Sequence, residues 1–73
     1  MEETNAILPI GYTFHYERYK YHVVAWFKDP NGNDPDEILY VVKYFGKHKQ
    51  WWHYEVMEDW AYRDRLESGL IKK

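Results

Sequence analysis

The stretch "KYFGKHKQWWHYEV", residues 43–56, decides the fold. It joins "ILYVVKYF" (38–45), rich in β-branched and aromatic residues, to "QWWHYEV" (50–56) through the short turn "GKHK". Such composition favours extended chain on both sides, and so short a connection joins neighbouring antiparallel strands. With Phe45 opposite Gln50, one face of the hairpin carries Leu39, Val41, Lys43, Phe45, Gln50, Trp52, Tyr54 and Val56. The other carries Ile38, Tyr40, Val42, Tyr44, Trp51, His53 and Glu55. Neither face is polar. A sheet with two apolar faces must cover both or offer one as a contact surface.

Both arrangements are open to this chain. In the first, a C-terminal helix bearing Trp60, Tyr62 and Leu66 covers the second face and barrel curvature buries the first. In the other, Tyr40, Tyr44 and Trp51 beside His53 stay exposed as an aromatic platform, flanked by Lys47, His48 and Lys49 of the turn. Tyr and Trp suit such work because they bring large area at little conformational cost.

Upstream, Pro9 and Gly11 punctuate the entry, and alternation then runs through residues 12–16 and 19–27. This predicts two strands turning at Glu17-Arg18, although that pair lacks the Gly or Asn of primed hairpin turns. Tyr19, Tyr21, Val23, Ala25 and Phe27 fall on one side, with Tyr21 and Val41 expected in the core. "KDPNGNDPDE" (28–37) is a loop. From residue 57 the period changes: acids open the segment, Arg63 and Arg65 follow, and Ser68-Gly69-Leu70 reads as a stop at which Leu70 packs back on the last turn. A helix at about 57–68 is expected, then a brief extended tail at Ile71. Residues 1–8 are expected to be a flexible segment and 9–73 a single small β-rich domain.

The predicted class is mainly β with one short helix, a small antiparallel SH3-like barrel or half-open roll of four to five strands. "IGYTFHYERYKYHVV" (10–24) resembles the first hairpin of small SH3-like β-barrels in its layout. The spacing from Gly11, Phe14 and Tyr16 to Tyr21 and Val23, followed by a Trp-rich strand, is similar to short uncharacterised proteins of bacteria and their phages. Neither resemblance implies any functional residue.

With 73 residues and 21% aromatics, the chain allows one domain with an aromatic core. It has no cysteine, so no disulfide or thiolate metal site can support it. No apolar leader or spanning run is visible, which makes a cytoplasmic protein the expectation. The net charge of −2 gives no global attraction to polyanions. Locally, residues 38–54 carry Lys43, Lys47 and Lys49 without an acid, whereas 29–37 carry Asp29, Asp34, Asp36 and Glu37.

Catalytic chemistry is not expected. Thr4, Thr13 and Ser68 lack any activating motif, and no phosphate-cradling Gly-rich loop is present. The acidic loop lacks the spacing of a calcium-binding loop. His15 and His22 share a face of the first hairpin and could hold a metal if a carboxylate joined them, but such residues are more often exposed strand positions, so neither metal nor cofactor is expected. What remains is a non-enzymatic protein-interaction module, possible versions being a phage or mobile-element accessory or inhibitory protein and a homodimer. The alternative is single-stranded nucleic-acid binding through the basic aromatic hairpin 43–54, by stacking on Trp51 and Trp52 among lysines. The acid-rich flanks oppose that alternative.

Overall fold

The structure, a computed structural model, describes residues 7–47 and 50–72. Five strands, β1 (Thr13–Tyr16), β2 (Tyr19–Lys28), β3 (Ile38–Gly46), β4 (Trp51–Glu58) and β5 (Ile71–Lys72), form one open antiparallel sheet in the order β4-β3-β2-β1-β5. One helix, α1 (Asp59–Glu67), follows β4 directly. The chain is thus mainly β, with β4 and β5 as the two edges of the sheet.

Hairpin β1–β2 turns on Glu17-Arg18, with Tyr16 opposite Tyr19. Glu17 takes φ 60°, the left-handed region that a two-residue hairpin turn demands and that glycine would occupy more easily. Hairpin β3–β4 pairs Leu39 with Glu58 and Gly46 with Trp51. This register lies two residues from the expected Phe45–Gln50 pairing. Gln50 is out of the ladder at φ 58°, its N–H donating to the Gly46 carbonyl at 2.7 Å. Because side chains repeat every two residues, a two-residue displacement leaves each strand residue on its assigned face.

A bulge between Val23 and Ala25 does change faces. The extra residue inverts the alternation of β2. Tyr21 and Val23 point into the core, whereas Ala25 and Phe27 join the opposite side, level with Val41 and Leu39. Trp26 moves to the core side opposite Tyr40. The single uninterrupted stripe expected along β2 is corrected accordingly.

The core lies between one sheet face and α1. It comprises Phe14, Tyr21, Val23, Tyr40, Val42, Met57, Ala61, Tyr62 and Ile71. The helix begins two residues later than its pattern suggests, because Met57 and Glu58 are still paired with Tyr40 and Leu39. The Trp60 N–H in its first turn donates to the Glu37 carboxylate at 3.2 Å, so the acidic loop supplies a cap that Glu58 does not. At the other end, Gly69 adopts φ 82°, and Leu70 N–H and Gly69 N–H return to the carbonyls of Arg65 and Leu66. That is the expected left-handed stop. Leu70 itself remains exposed, and it is Ile71 that packs inward beside Tyr16.

Leu8, expected in the N-terminal segment, packs on the domain. Leu8 lies against the core, and its N–H donates to the Tyr40 hydroxyl at 3.1 Å. Among the described residues no helix is long and apolar enough to cross a membrane.

Burial pushes the phenols of Tyr21, Tyr40 and Tyr62 above the ordinary value of 10, Tyr40 to about 12. A folded-state pKa above the unfolded one gives stability that is complete below pH ~10 and disappears as pH rises toward the folded value. For Tyr40 that window runs from 10 to about 12. The chain is therefore expected to unfold cooperatively in alkali, with these phenolates appearing together as structure is lost. Ultraviolet titration alongside circular dichroism checks this, and smooth independent ionisation of all eight tyrosines in a folded chain would contradict it.

Candidate functional site

Two aromatic regions emerge, and they lie on opposite faces of the sheet. On the core face, α1 covers only part of the area. Beyond it, toward the β3–β4 turn, Tyr44 stacks on His53 with ring centres 5.2 Å apart, and Trp51 lies 6.2 Å from His53. Tyr44 is half-buried, 4.8 Å from both Tyr19 and Tyr21, and its hydroxyl donates to Glu55 at 3.2 Å. Partial burial and the Glu55 carboxylate raise the Tyr44 pKa. Gly46 makes room for this stack, since a Cβ there would fall 2.5 Å from the His53 Nε2 atom.

Of the residues expected to form a platform, Tyr44, Trp51 and His53 are brought together in this row. Tyr40 is not among them. It is 1% exposed and belongs to the core, because the helix start and the Leu8 segment close over it. Lys47 is exposed on the turn and contributes to the other face, as described below. His48 and Lys49 lie outside the described residues.

The second region is the outer face, formed by β2, β3 and β4 on the side away from α1. Ala25, Phe27, Leu39, Val41, Phe45, Trp52, Tyr54 and Val56 share it. Curvature does not bury it: Trp52 remains 42% exposed, Val56 55% and Tyr54 62%. Val41, expected in the core, is only half-buried here.

The outer face changes character along the strands. Near the hairpin turns, Arg18, Lys20, His22 and Lys47 surround Phe45 and Trp52 in a cleft of about 200 Å³. The Lys43 ammonium sits 4.5 Å from the Trp52 ring centre, and His22 and Phe45 meet the same indole edge-on at 5.4 and 5.5 Å. Burial, then Lys20 and Lys43, lower the His22 pKa, which favours a neutral imidazole among these cations. At the opposite end, Asp34, Glu37 and Glu58 gather around Leu39 and Trp60. In the middle, Ala25, Val41, Tyr54 and Val56 carry no charge, and Lys43 stands opposite Tyr54 among them.

Phe27, Phe45, Trp52, Tyr54 and Val56 are therefore the residues that the platform expectation missed. The available signal was the length of the chain. One helix of nine residues has a single apolar stripe and can cover only one face of a five-stranded sheet. Among the described residues, no three His, Asp or Glu side chains converge as a metal site. Comparison of the chain with protein-family models, curated proteins and solved structures returns no match.

Proposed function

We propose that this chain is a non-enzymatic protein-interaction module that docks a protein through the outer face of its sheet. The observation behind this reading is that Phe27, Phe45, Trp52, Tyr54 and Val56 are all exposed on one face of the sheet, with Lys43 among them. Solvated sheet faces normally alternate to polar residues, and a patch of this kind marks a contact site. Trp and Tyr in its centre are the residue types that carry most binding energy in interfaces. Small size and the likeness to short bacterial and phage proteins support an accessory or inhibitory role in such a system.

A second reading, single-stranded nucleic-acid binding, draws on the Trp52 cleft. Lys43 over the indole, with Arg18, Lys20 and Lys47 nearby, combines a stacking ring with phosphate-attracting charge. The acidic end of the same face disfavours a long strand.

The test uses a hydrophobic fluorescent dye and the double variant Tyr54→Asp with Val56→Asp. The wild-type chain, kept dilute, is expected to bind the dye and the variant to lose that binding. Its stability should change by no more than about 0.5–1 kcal/mol, as for surface positions. Absence of dye binding together with unfolding of the variant would place both residues in a core and overturn the reading. A labelled DNA single strand that binds at low salt, and is released by Lys43→Glu with Lys47→Glu, would transfer the assignment to the second reading.

A further inference from the structure

We infer that the protein docked on the outer face is a second copy of this chain, packed face to face about a two-fold axis perpendicular to the strands. The inference rests on the protein-interaction reading and names its partner.

The charge gradient along the strands carries it. Arg18, Lys20 and Lys47 stand at one end of the face, Asp34 and Glu58 at the other. A two-fold interface brings each patch against its symmetry mate, so the surface must complement itself. Turning about an axis perpendicular to the strands sets the basic end of each copy over the acidic end of the other. The middle then meets itself, with Tyr54 over Val56 and Lys43 over Val41 of the second copy. An axis parallel to the strands would instead set like charge on like, including Lys43 near its own equivalent.

Size agrees with this arrangement. Three strands at ~4.8 Å spacing and about eight residues in length give a flat footprint of roughly 400 Å². Side-chain relief raises the accessible area above this flat figure, which places the contact at the small end of specific interfaces, below ~1,200 Å² in total. Face-to-face sheets about 10 Å apart are a stable layer architecture. Edge-to-edge pairing of β4 with a second β4 would leave the apolar face in water, so it does not answer the same need.

The experiment combines sedimentation equilibrium with fluorescence quenching of a variant that retains Trp52 alone. A dimer is expected at micromolar concentration, with Trp52 becoming protected from quencher as the dimer fills. Lys20→Glu with Lys47→Glu, and separately Asp34→Lys with Glu58→Lys, should each weaken self-association by about a hundredfold, the scale of like charges juxtaposed in an interface. Mixing the two variants should restore a heterodimer, because every reversed charge then faces its opposite. A dimer that neither variant weakens, or that mixing fails to restore, overturns the arrangement. A monomer at every concentration with Trp52 readily quenched overturns self-association and leaves the face to another protein. A monomer with Trp52 protected removes the interaction surface itself, and both readings fall.

Discussion

Replacing Phe14 by Ala is expected to remove most of the stability of this domain. Phe14 is 1% exposed, stacks on Tyr21 with ring centres 5.4 Å apart and planes 4° from parallel, and meets Tyr62 of the helix edge-on at 5.2 Å. It therefore ties β1 and β2 to α1 at one point. Truncating a buried Phe to Ala costs about 3–5 kcal/mol through lost transfer energy and the cavity left behind. A chain of this length is stable by only about 4–11 kcal/mol in total. Urea unfolding should show a large fall in midpoint, or no folded baseline. The outer face supplies the contrast, since Trp52→Ala is expected to change stability by less than about 1 kcal/mol. If both substitutions cost the same, the division into a core face and an outer face is wrong.

The second large effect is expected from Tyr40→Phe, which removes one oxygen and leaves the shape of the core unchanged. The Tyr40 hydroxyl accepts from Leu8 N–H at 3.1 Å and donates to Asp59 Oδ1 at 2.8 Å. The other carboxylate oxygen of Asp59 accepts from Arg63 Nε at 2.7 Å. One hydroxyl thus connects the N-terminal segment, the centre of the sheet and the first turn of the helix. Without it, the Leu8 N–H loses its acceptor and Asp59 loses a donor. The cost is about 1–3 kcal/mol, the penalty of an unsatisfied buried group. Hydrogen exchange at Leu8 should quicken in the same variant. A double-mutant cycle with Asp59→Ala should give a coupling of at least ~0.5 kcal/mol, as for residues in one network. Additive effects within error would show that the hydroxyl and carboxylate act independently.

Tyr40 also shows where sequence reading stops. A tyrosine on an apolar strand face is chemically suited to a platform or to a core, and the period-two pattern treats both alike. Its role here depends on Asp59 and Leu8, 19 and 32 residues away in the chain. Tyr44, four residues along on the same face, remains half-buried because the helix ends its coverage before reaching it. The two-residue change of register in β3–β4 had no consequence for faces, whereas the single extra residue in β2 turned Phe27 to the outer face and Trp26 to the core side, where it remains exposed. No local signal in "YKYHVVAWFK" marks that bulge.

Local rules were enough for the four long strands, the acidic loop, the helix stop at Gly69 and the two apolar faces of the second hairpin. Each follows from alternation, turn chemistry or capping, which act over a few neighbouring residues. Which apolar face would be covered, and which left as a surface, could only be decided once α1 had folded back over the sheet. That choice depends on contacts between residues far apart in the chain, and one short helix can satisfy only one side of a sheet.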